Sequence, residues 1–186
     1  MAILVKAPSL DEFLKLPEEK PALQYEDGRI TQKVSPKGQH SQLQSDLVEL
    51  ILQFARPRKL ARAYAELRAT YGGRSTVPDL SVYRWSRLPI QADGKIANDF
   101  VDPPDVAIEI VSPDQSATTL VRRCLWYVSN GVAIALLIDP EDESVLRFRP
   151  NQAPMSLTGP DRIDLDDVLP GFALTVQQVF DLMQVE

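Results

Sequence analysis

The chain has 186 residues, 44 % hydrophobic and 25 % charged, with a net charge of −6. That is apolar surface enough for a core, which excludes a largely disordered chain, and by length one domain over residues 1–186 is expected. The single cysteine, Cys124, and single histidine, His40, exclude a disulfide framework and a zinc centre built on several cysteines or histidines.

No apolar run reaches the roughly 18 residues of a membrane-spanning helix. The opening Met1-Ala-Ile-Leu-Val5 lacks the long apolar region of a secretion signal, so a cytoplasmic location is expected. Residues 1–92 carry 14 basic and 10 acidic side chains, whereas residues 93–186 carry 6 and 16. The basic stretch Arg56-Pro-Arg58-Lys59-Leu-Ala-Arg62 could meet phosphates or simply be a solvated helix end.

In chain order, Ser9-Leu-Asp-Glu12 fits a capping box and predicts a short helix from Leu10 to Leu16. Leu23 to Val34 reads as a hairpin, with Asp27-Gly28 supplying the positive φ angles of a tight turn. Leu43, Leu47, Leu50, Ile51 and Phe54 form the stripe of a helix from about His40 to Phe54, stopped by Pro57. Ala61–Leu67 and Thr76–Tyr83 read as strands, with Gly72-Gly73 as a turn between them. Val106 to Val111 is apolar on both faces except at Glu109, as in an interior strand.

A helix is expected over Ser116 to Ser129, ended by Asn130-Gly131, with strands at Val132–Ile138 and Ser144–Arg149. Pro150 to Gly171 reads as loop, and Val176 to Met183 as a final helix. The fold class is therefore α/β (α+β): a mixed central sheet flanked by helices, with an N-terminal hairpin. A right-handed crossover should set strand 132–138 parallel to strand 106–111.

Two carboxylates carry the chemistry. Asp79 lies in Val77-Pro-Asp-Leu-Ser-Val-Tyr83 and Glu109 in Val106-Ala-Ile-Glu-Ile-Val111. An acid within an apolar strand is costly unless paired or bound to a metal. One acid on each of two neighbouring strands could grip a hard divalent cation, or each could sit in an ion pair. Alternation puts Glu109 on the face of Ala107 and Val111. Arg123 borders the sheet-facing side of its helix, where it could steady a phosphate or pair with Glu109, while Arg122 points to solvent. His40 could serve as ligand, base or phosphate contact, or only pack or cap. Cys124 sits within a core-facing stripe and is expected to be inert. No glycine-rich phosphate loop, dinucleotide fingerprint or nucleophile elbow is present.

These residues resemble the PD-(D/E)XK nuclease superfamily and, more closely, the Uma-type family of restriction endonucleases. The matching stretches are Gln32 to His40, Glu66 to Arg74, Val77 to Tyr83, Ile108 to Ser116, and Gly131 through Asp139-Pro140. The resemblance implies a restriction-endonuclease-like core and hydrolysis of DNA phosphodiesters with Mg2+, Mn2+ being an alternative ion. Asp79 and Glu109 would bind the metal, with the Ile110 carbonyl as a further ligand. Glu66, on a preceding strand, would support the metal or its waters, and His40 would lie beside the cleft.

The superfamily's lysine position, two residues after the second acid, holds Val111. The alternative helix position, four residues before Tyr127, holds Arg123, which cannot act as a general base. Gln24 stands where relatives carry a glutamate. A DNA-cleaving enzyme, two-fold dimeric to suit duplex DNA, is the leading expectation. The rivals are a catalytically weakened DNA-binding module and a protein-interaction component on the same fold.

Overall fold

The structure, a computed structural model, describes residues 7–113 and 115–184. The apolar start at Met1 to Val5 lies outside the described residues, as does Asp114 within the Ile108 to Ser116 stretch.

The chain opens with α1 (Leu10–Phe13), one turn long, whose capping box joins the Ser9 hydroxyl and the Glu12 carboxylate to each other's backbone N–H. The helix ends three residues before the expected Leu16, and Leu14 and Leu16 are exposed instead of continuing its buried face. β1 (Leu23–Glu26) and β2 (Arg29–Gln32) form the expected hairpin, with Asp27 at φ 49° and Gly28 at φ 82°. Helix α2 (Gly38–Ala55) follows and buries Leu43, Leu47 and Ile51.

The next stretch departs from expectation. β3 (Ala61–Ala65) is followed by a separate small hairpin, β4 (Ala69–Tyr71) and β5 (Arg74–Thr76), and only then by β6 (Leu80–Arg84). The Gly72-Gly73 turn therefore joins β4 to β5, and the expected strand 76–83 is two strands in two sheets. Val77-Pro78-Asp79 is the crossing point. Proline there cannot donate to a ladder, so pairing lapses where the chain changes sheet.

β7 (Val106–Ile110), α3 (Ala117–Ser129) and β8 (Ile134–Asp139) form the crossover unit, and β7 pairs β8 in parallel as expected. β9 (Ser144–Phe148) and β10 (Met155–Thr158) complete the large sheet, in the order β10-β9-β8-β7-β6-β3. The region read as loop thus contains a strand, and its Ile163, Leu165, Val168 and Leu169 are core residues beside α4 (Val176–Asp181). The small sheet has the order β2-β1-β5-β4.

Helices cover both faces of the large sheet. On one, α2 and α4 pack on Val82, Val106, Ile108, Ile110 and Ile134. On the other, α3 packs Leu120, Cys124 and Tyr127 on Tyr83, Ala107, Ala135 and Leu137. Among the described residues no helix is long and apolar enough to cross a membrane.

Candidate active site

The β6–β7 register pairs Leu80 with Ile108 and Ser81 with Ala107. One step past the end of β6, the Asp79 carboxylate reaches across to β7 and meets the N–H of Ile110, next to Glu109, whose side chain is on the α3 face. Both acids are buried.

Asp79 is the hub of the seam between the two sheets. Its carbonyl accepts from the Glu66 N–H at 3.1 Å and from the Gln44 amide at 2.9 Å. Its Oδ2 accepts from the Ile110 N–H at 2.8 Å and lies 3.1 Å from His40 Nε2. Its Oδ1 accepts from the Lys33 ammonium at 2.6 Å. Burial pushes the carboxyl pKa up, but the His40 hydrogen bond and the Lys33 charge outweigh it and hold Asp79 at about 2.

Glu109 is held differently. Its Oε1 accepts from the Tyr127 hydroxyl at 2.6 Å, and Arg123 Nη1 lies 3.8 Å away. Burial raises its pKa, and the Asp79 charge raises it further against the opposing Arg123 and Lys33. Tyr127, one helical turn beyond Arg123, has its own pKa pushed well up by burial and by Glu109, so it stays a donor.

Arg123 is more committed than expected. Its Nε donates to Glu26 Oε1 at 3.2 Å, so the guanidinium ties the β1–β2 hairpin to α3 while facing Glu109. A second tie joins Arg74 to Asp27. Arg122 is exposed and Cys124 is buried with its thiol pKa pushed well up, both as expected.

Glu66 is not on a strand. It lies one residue past β3 with φ 47°, and its carboxylate is 3.7 Å from Lys33 Nζ. Gln24, where a glutamate was looked for, is buried and accepts from the Val77 N–H at 3.0 Å, which fixes the crossing that delivers Asp79. Not every buried acid belongs to the site: Asp105 pairs with the partly exposed Arg84 and Arg87 at the other end of β6.

Lys33 is the residue that the sequence did not single out. It is buried one residue past β2, and the charges of Asp79, Glu109 and Glu66 raise its pKa against burial. The signal was a lysine directly after the hairpin, on the segment leading to His40. Only tertiary packing brings it to Asp79, 46 residues on. The basic stretch Arg56 to Arg62 stands at the other end of α2. At about 1.5 Å of rise per residue its first arginine is about 25 Å from His40, outside the site.

Solvent reaches the site through a polar cleft of about 510 Å³ whose walls include Gln24, Glu26, Thr119, Lys33 and Arg123. Neither acid lines it, so the two cations stand between the carboxylates and the cleft. A second cleft of about 550 Å³, with Phe13, Phe100 and Arg68 in its walls, reaches Glu66.

The donors would suit a hard divalent cation. Asp79, Glu109 and a main-chain carbonyl are all oxygens. Along a strand a residue's N–H and C=O point to the same edge, so the Ile110 carbonyl faces the edge where its N–H meets Asp79. The Lys33 ammonium already seats a positive charge against Asp79. Among the described residues no cluster of three or more histidine, cysteine or carboxylate groups is assembled for a metal, so this set depends on the carbonyl.

A search of curated proteins found no match. Among solved structures, one described as a putative nuclease belonging to DUF820 from Anabaena variabilis is 41 % identical, with a TM-score of 0.92 over 95 % of this chain and 99 % of that one. The family model described as Uma2, putative restriction endonuclease, matches residues 10–177, which include Asp79, Glu109 and all the elements that hold them, and the chain belongs to that family.

Proposed function

We propose that the protein is a metal-dependent endodeoxyribonuclease that hydrolyses DNA phosphodiester bonds. The observation that carries this reading is the burial of Asp79 and Glu109 together at the seam of the two sheets, where the Asp79 carboxylate accepts from the N–H of Ile110, the residue after Glu109. The Uma2 family and the similar nuclease structure support it.

In this reading Asp79, Glu109 and the Ile110 carbonyl hold Mg2+ or Mn2+. The bound ion supplies Lewis acidity towards the phosphate oxygen and the attacking water. His40 and the Ile110 N–H fix the Asp79 carboxylate in one orientation, and Tyr127 does the same for Glu109. Arg123 favours the ionised form of Glu109 and holds the hairpin in place, with its cleft-facing edge left for phosphate charge. It stays protonated and removes no proton. Glu66, half-exposed at the second cleft, would support the metal or its waters from the site margin.

The test is cleavage of supercoiled plasmid with Mg2+ or Mn2+ by wild type and by Asp79→Ala, purified identically. Cleavage by wild type and loss in the variant is expected. Equal cleavage by both would assign the activity to a contaminant.

A second reading is favoured by one observation: Lys33 and Arg123 already compensate the acids. A module that binds DNA without cutting it would show steeply salt-dependent retention in a gel-shift assay and no cleavage with either metal. We further propose a homodimer, which would offer one site to each strand; sizing chromatography coupled to light scattering tests it.

A further inference from the structure

We propose that Lys33 occupies the cation position of the acid pair in the resting protein, so that a divalent ion binds by displacing its ammonium. The inference rests on the metal reading above and concerns how the site is loaded.

Four observations converge. The Lys33 ammonium lies 2.6 Å from Asp79 Oδ1, and both side chains are buried, at 5 % and 4 % exposure. It also feels the charge of Glu109, whose own ion pair is with Arg123. It lines the polar cleft while Asp79 and Glu109 do not, so an ion entering there meets Lys33 first. Finally, the ammonium has somewhere to go. Glu66 Oε1 is 3.7 Å from Nζ, and that carboxylate is 43 % exposed. Lysine is a compact charge on a flexible four-carbon stem, suited to swing from one carboxylate to another. The buried Asp79 carboxylate is costly without a cation beside it, and Lys33 supplies one until a metal replaces it.

The exchange makes metal affinity a difference between two cations at one site. Removing the internal competitor should therefore tighten metal binding, whereas a lysine that merely props the site, or that helps hold the ion's surroundings, should weaken binding when lost. The same exchange moves Lys33 from a buried pair towards solvent when metal binds.

The experiment titrates MnCl2 into wild type, Lys33→Met and Asp79→Asn by calorimetry. In parallel it follows reductive methylation of Lys33 in the wild type by peptide mass spectrometry, with and without Mn2+. A Kd at least about 10-fold lower in Lys33→Met, and methylation of Lys33 at least about 5-fold faster with saturating Mn2+, are expected from the loss of a directly competing charge. If Lys33→Met does not fold, the wild-type methylation rates decide alone.

Equal or weaker Mn2+ binding in Lys33→Met, or unchanged protection of Lys33, overturns the proposal. If wild type still binds Mn2+ and Asp79→Asn does not, the metal reading survives that failure. No Mn2+ binding by any of the three proteins would overturn both.

Discussion

The two faces of the large sheet are built from the same strands and differ in kind. Towards α2 and α4 the strands present Val82, Val106, Ile108, Ile110 and Ile134, an aliphatic surface without a charge. Towards α3, β6 and β7 present Tyr83, Ala107 and Glu109, and Asp79 lies just past the end of β6. Tyr127 and Arg123 of α3 reach inward to Glu109. One face stabilises the sheet by excluding water, and the other uses that rigidity to hold charges that water would otherwise screen. A single residue step along β7 switches between these tasks.

Asp79→Ala should have the largest effect because it strikes both. It removes the proposed metal ligand and leaves Lys33 buried without its closest carboxylate. Breaking a buried pair in this way costs on the order of 3–5 kcal/mol, read from urea denaturation. The pH dependence follows from the same pair. The Asp79 pKa, held at about 2, lies below its ordinary 3.8, so its stabilisation is complete above pH 4 and lost as pH falls towards 2. The difference in urea midpoint between wild type and Asp79→Asn should shrink over that interval; a constant difference would contradict the pairing.

Ile108→Ala tests the other face, next to Glu109 in sequence. It should cost about 2–5 kcal/mol through a core cavity, while leaving the metal affinity of the folded protein unchanged. Loss of metal binding from the folded variant would show that the faces are not separable. Tyr127→Phe keeps the ring and removes one hydroxyl. It should cost about 1–3 kcal/mol, because Glu109 loses its direct hydrogen bond inside the protein. Thermal unfolding against wild type measures it, and an unchanged midpoint would remove Tyr127 from the site. Arg58→Ala, at the far end of α2 with its guanidinium over the Phe54 ring, should change stability by less than about 0.5 kcal/mol and leave Mn2+ affinity untouched.

The elements with a strong period were legible from the chain: α2, α3, the hairpin turn and the parallel pair β7–β8 all follow from stripes, caps and Gly or Pro punctuation. The failures have a common cause. β4, β5 and β10 are strands of three or four residues, too short for alternation to stand out from loop. The break at Val77-Pro78-Asp79 was marked by its proline, yet nothing local says that the chain changes sheet there. Asp79 and Glu109 could be picked out because a carboxylate within an apolar strand violates the pattern around it. Lys33 violates nothing, since a lysine after a hairpin is ordinary.

The sequence by itself determined the helices α2 and α3, the β1–β2 hairpin, the parallel pair β7–β8, and which two acids are out of place. Those properties depend on near neighbours in the chain. Only the tertiary structure decided which cation meets which acid: Lys33 with Asp79, Arg123 with both Glu26 and Glu109, and Gln24 with the crossing peptide. Each of those contacts joins segments more than 10 residues apart, and a charge is sensed through space, so its partner follows from how the two sheets abut and not from any spacing along the chain.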